Sequence, residues 1–172
     1  MAIGLLTLAA LGTLGLAAAT LLGYGVPRAV VSMKTHFMAA LLSTTLLVMA
    51  HSFIMFFLIA TGVELKELEK ARGSGDSFRR RTIALKSRIF PLLTGALLLV
   101  IANFILGAAA HTRALPAWVH EGTAWLTLVT CVLALARSYR VLGDNNRLIA
   151  ESASFREDNS SVGPSPDIPS NS

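Results

Sequence analysis

Four histidines are the residues in this 172-residue chain whose type and placement could do chemistry: His36, His51, His111 and His120. A neutral imidazole has one nitrogen that donates a hydrogen bond and one that carries a lone pair, so it can ligate a metal or accept a proton. Two imidazoles on facing helices can hold a haem iron from both sides, with small neighbours leaving room for the macrocycle and a nearby cation meeting its propionates. His36 with His111 or His120 is the expected axial pair for haem b, and Arg113 or Arg28 the expected propionate partner. His51 would ligate a second haem only with a symmetry mate, another subunit, or a weak ligand such as Met49 or Met55. The same rings could instead bind a quinone carbonyl or pass protons, His51 doing so with Ser52, Thr44 or Thr45. A structural role competes with both: the amphipathic ring suits a membrane interface, and His51 could bond Asn103 or Thr130 on another helix. The layer holds one carboxylate, Glu121, too few for a carboxylate-rich di-iron site.

The elements that must position these rings are apolar helices. The chain is 53% hydrophobic and 15% charged, with mean hydropathy +0.62, which excludes an ordinary soluble domain. Four runs, about 3–24, 37–63, 89–110 and 117–136, are each long enough to cross a bilayer at helical rise. The expected fold is therefore all-α, a polytopic four-transmembrane-helix bundle over residues 1–150, followed by a disordered tail over 151–172 rich in Ser, Asn, Pro and Asp. The first run is read as a retained span. No Lys or Arg precedes it and it exceeds a typical signal core, although Ala17, Ala18 and Ala19 resemble a cleavage site. Its Gly12, Gly15, Ala19 and Gly23 recur at spacings of three and four, so one small-residue side is open to close approach by a neighbouring backbone. The second run outlasts the hydrocarbon thickness and continues through Glu64, Lys66, Glu67, Glu69 and Lys70 as one helix emerging into water, with intrahelical pairs such as Lys66 and Glu69. Pro91 is expected in the first turn of the third helix. Past Gly143, residues 145–150 read as a short amphipathic piece along the membrane surface.

Charge sets the expected orientation. Lys66, Lys70, Arg72, Arg79, Arg80, Arg81, Lys86 and Arg88 crowd between the second and third runs, whereas the other two connections hold only Arg28, Lys34 and Arg113. This asymmetry predicts cytoplasmic termini in a bacterial inner membrane, and it explains the net charge of +5 without nucleic acid. His36, His111 and His120 then share the outward face. On the second helix His36 and His51 are fifteen residues apart, roughly 60° in angle and some 22 Å along the axis, so both can face one interior.

Cys131 is the only cysteine, so neither a disulfide framework nor a CxxC site exists within one chain. No phosphate-cradling glycine loop, nucleophile elbow or HExxH is present. The layout resembles the membrane anchors of respiratory complexes and small b-type cytochromes in general form only, a likeness that assigns no residue roles. The reading is an integral membrane subunit or cytochrome-like electron-transfer protein using haem b or quinone, embedded in the lipid bilayer with other membrane subunits or as a homo-oligomer. It is an electron-transfer or structural subunit more readily than a stand-alone enzyme. The alternative is a non-catalytic assembly or scaffold protein, and a transporter is disfavoured because no run is broken in mid-span.

Overall fold

The computed structural model describes residues 1–72 and 77–161. These form four helices, α1 (Ala2–Gly25), α2 (Met33–Arg72), α3 (Ser77–His111) and α4 (Ala117–Ser161), and all four are long and apolar enough to cross a membrane. Hydroxyls on apolar helices need internal partners where no water is present. Here they turn back on their own helix, as Thr13 Oγ1 does to the Ala9 carbonyl at 2.8 Å and Thr130 Oγ1 to Leu126 at 2.8 Å.

The small-residue side of α1 does bring α2 close. A Cβ on Gly12 would lie 2.9 Å from Leu47 Cγ, and one on Gly15 would lie 2.6 Å from Ser43 Oγ. The two helices are antiparallel, α3 and α4 form a second such hairpin, and the hairpins join through α2–α3 and α1–α4 while α1 and α3 lie apart.

Three helices continue well beyond the apolar runs. As expected, α2 proceeds unbroken, to Arg72, but α3 begins at Ser77, so Pro91 lies inside it and not in its first turn. Likewise α4 passes through Gly143 without a break, and Asn145 and Leu148 are buried against the bundle, so residues 145–150 continue α4 with one side packed and are not a separate surface piece. Helix α4 also crosses the expected boundary at 150; of the tail, residues 162–172 lie outside those described. Leu65, Leu85, Val141, Leu142 and Leu148 carry the apolar core of the bundle on into this extension. Glu69 turns inward from α2 to accept the backbone N–H groups of Phe78 and Arg79, the latter at 3.0 Å, capping α3 across the connection.

The two hairpins are copies of one another. His36 and His120, Gly23 and Gly107, Ala29 and Arg113, and Thr61 and Asn145 each stand 84 positions apart. Among the described residues, Ala29 and Arg113 are the two non-glycine residues with positive φ, 57° and 61°. Each follows the same turn, closed by Val30 N–H to the Gly25 carbonyl at 3.1 Å in one hairpin and Ala114 N–H to Ala109 at 2.9 Å in the other. Burial repeats at the same offset: Ala9, Gly12, Leu16 and Ala19 of α1 match Leu93, Ala96, Val100 and Asn103 of α3. Ser43, Leu47, Ala50, Ile54 and Leu58 of α2 match Thr127, Cys131, Ala134, Ser138 and Leu142 of α4. Both copies run in the same direction, as in parallel repeats related by an axis along the bundle.

Candidate functional site

At the end of the bundle that carries the α1–α2 and α3–α4 turns, the repeat places its two equivalent histidines together. The rings of His36 and His120 meet with centroids 6.5 Å apart and planes inclined by 74°. Each lies on a glycine of its own hairpin: a Cβ on Gly23 would be 3.2 Å from His36 Cε1, and a Cβ on Gly107 would be 2.9 Å from His120 Cε1. Any larger residue at either position would displace the ring.

The hydrogen bonds fix one tautomer. His36 Nδ1 lies 3.0 Å from the Ala19 carbonyl, which can only accept, so Nδ1 carries the proton and Nε2 keeps its lone pair. A backbone carbonyl in this role is the usual orienting partner of a metal-ligating histidine. His120 has the backbone of Asn103 as its hydrogen-bonding neighbour, the residue 84 positions beyond the Ala19 that holds His36, with His36 and Glu121 also in its surroundings.

These rings open onto a cavity of about 360 Å³ between all four helices. Its walls are mostly small or apolar, including Ala19, Gly23, Ala40, Gly107 and Ala124, with Phe37 and Phe104 in contact at 5.7 Å on one side. Polar groups are few: Thr20, Tyr24, Thr44, Asn103, Thr112 and Glu121 beside the histidines.

The structure separates the expected site residues. His36 and His120 are paired, whereas His111 reaches the same cavity from an exposed position at its rim. Arg113 does not line the cavity; it sits exposed in the α3–α4 turn. Arg28 is engaged elsewhere, donating to the Tyr24 carbonyl at 2.6 Å. His51 lies outside the cavity and is 2% exposed, its Nδ1 donating to the Leu47 carbonyl at 2.7 Å, so a symmetry mate from another chain has no access to it. Its expected partners are also taken. Asn103 Oδ1 accepts from Thr123 at 3.1 Å, and Thr130 bonds within α4. Among the described residues, no group of three or more His, Cys, Asp or Glu side chains is placed to hold a metal ion.

Two contributors escape a reading of residue types alone. Gly107 seats His120, a pairing that follows only once the α3–α4 turn is centred near Arg113. Trp125 Nε1 donates to Tyr24 Oη at 2.9 Å, tying α4 to α1 beside the cavity. No protein-family model, curated protein or solved structure matches this chain.

Proposed function

We propose that this chain is an integral membrane electron-transfer component that holds one haem b between His36 and His120. The observation that carries the reading is the meeting of two equivalent histidines on the axis of the repeat, each backed by an equivalent glycine. Two imidazoles that share one metal through nitrogen–metal bonds of about 2 Å have ring centroids about 6 Å apart. The observed 6.5 Å accords with that. The lone pair on His36 Nε2, the His120 ring that meets it and the small-residue walls support a ligated macrocycle. At about 360 Å³ the cavity is at the small end of ligand pockets, and the exposed cations Lys34 and Arg113 at the same end of the bundle would be available to acidic groups that project from it. When bound, haem b supplies a one-electron couple; the chain's part is to orient both imidazoles and exclude water with Ala, Gly and Phe walls.

The excess of Lys and Arg at the opposite end supports a bacterial inner-membrane location with the termini inside and the haem near the outer face. A second reading is favoured by the same pair of rings on a mostly apolar cavity. A quinol ring is smaller than that cavity, and His36 Nε2 and the His120 ring would accept its hydroxyl protons.

The test is the spectrum of the full chain purified from cells supplied with haem precursor. A Soret band with a reduced α-band is expected, lost in His36→Ala and in His120→Ala but kept in His111→Ala and His51→Ala. A colourless, folded wild-type protein would refute haem, and saturable binding of a quinol analogue, abolished by His120→Ala, would then establish the second reading. Neither signal, with normal assembly of all four histidine variants, would leave a structural scaffold.

A further inference from the structure

The repeat builds the contact between hairpins twice, and the two versions differ. At the α2–α3 seam, Met55 and Phe90 pack against the core, and Thr94 Oγ1 reaches Met55 Sδ at 3.9 Å. The equivalent positions at the α1–α4 seam are Tyr139, Leu6 and Ala10. Here the side chains are smaller or turned outward, and a groove of about 750 Å³ remains, lined by Ile3, Leu6, Thr7 and Ala10 of α1 and by Leu135, Ala136, Tyr139 and Arg140 of α4. His51, buried on α2, has Leu135 as its counterpart on α4, where Leu135 lines the groove.

We propose that this groove is a binding site for one anionic glycerophospholipid, an acyl chain lying between α1 and α4 and the headgroup phosphate against Arg140. The internal comparison argues that the bundle's own side chains close one seam and leave the other to an apolar occupant. Charge selects its chemistry. Arg140 stands at the end of the groove where the apolar run of α4 stops, exposed and with no hydrogen-bond or ion-pair partner among the described residues, and Tyr139 beside it is 71% exposed. A cation and a phenol at that level face the phosphate layer of the surrounding leaflet, while the α1 wall from Ile3 to Ala10 extends about 10 Å toward the interior. Basic pockets between membrane helices hold acidic headgroups in this way. The inference rests on the membrane reading and not on haem, and its readout is independent of any spectrum.

The full chain in detergent would be titrated with phosphatidylglycerol and with phosphatidylcholine of the same acyl chains, and bound lipid counted by native mass spectrometry. Wild type should retain one lipid with about a fivefold preference for phosphatidylglycerol, the gain from one interfacial cation. Arg140→Gln should bring the preference to parity, and Leu6→Phe with Ala136→Leu should remove both lipids. Arg147→Gln, at a side chain 86% exposed on the far extension, should keep the preference. Equal retention of the two lipids by wild type, or an unchanged preference in Arg140→Gln, would overturn the proposal. So would a lipid-free dimer broken by Leu6→Phe with Ala136→Leu, which would make a second copy the occupant.

Discussion

His36 and His120 owe their approach to residues that have no side chain at all. Gly23 and Gly107 let the Cε1 corner of each ring come close to the neighbouring helix, but the two seats are not equally tight: the missing Cβ would come to 3.2 Å in the first and 2.9 Å in the second. Real Cβ atoms are essentially never found as close as the latter, so the His120 ring must move if Gly107 gains a methyl, whereas His36 has only to yield slightly. Gly107→Ala should therefore lower haem retention more than Gly23→Ala, read as the Soret-to-protein absorbance ratio at equal yield; the reverse order would show that the rings are not seated as described. Glu69 presents a different single-residue dependence. Its carboxylate is buried and accepts two backbone N–H groups at the start of α3. Hydrogen bonds to charged groups contribute about 1.5–3 kcal/mol, and Gln keeps one acceptor while losing the charge. Glu69→Gln should cost about 1 kcal/mol and Glu69→Ala about 2 kcal/mol, measured by denaturation in detergent micelles. Equal stability of both variants and wild type would mean that the cap contributes nothing.

Between elements, the α1–α2 contact shows how spacing becomes packing. Gly12, Gly15, Ala19 and Gly23 fall on one side of α1 by helical period, and that side meets α2. The neighbours differ in what can give way. A methyl at position 12 would face Leu47 Cγ at 2.9 Å and its backbone nitrogen at 3.1 Å, while one at 15 would face mainly the Ser43 hydroxyl. Overpacking typically costs about 1–3 kcal/mol. Gly12→Ala should fall at the upper end of that range, and Gly15→Ala at the lower end, with Ser43→Ala restoring most of the loss in the double variant. Thermal unfolding in micelles followed by helical ellipticity would decide it; no rescue by Ser43→Ala would place the clash elsewhere. This contact was legible in the sequence because it depends on one helix's own period, and so was the layer containing His36, His111 and His120, which follows from run boundaries. The choice of His120 over His111 was not, since it depends on the register of the α3–α4 hairpin, set by a positive φ at Arg113 that no residue type announces. Glu69 read as a solvated partner of Lys66 because the tertiary contact that turns it inward joins segments on either side of a connection. Asn145 read as the start of a surface piece for a similar reason: its Oδ1 accepts from Thr61 on α2, 84 residues away.

For the molecule as a whole, a two-helix unit used twice in the same direction fixes the start of α1, the end of α2, the start of α3 and the end of α4 at one end and both turns, with the paired histidines, at the other. The 84-residue offset survives in turns and burial while few side-chain identities persist, so it emerges from coordinates and not from composition. Orientation then follows from charge alone. The eight basic residues between the second and third apolar runs are expected to stay on the cytoplasmic side, and the turn carrying Arg113 should be translocated. Single cysteines test this directly, because the native thiol, Cys131, is 1% exposed and should not react. In intact cells Ala114→Cys should be labelled by a membrane-impermeant maleimide, and Arg147→Cys should be labelled only after the cells are opened. The opposite pattern would place the histidine pair at the cytoplasmic face. In that case a redox partner for the proposed haem would have to be sought inside the cell.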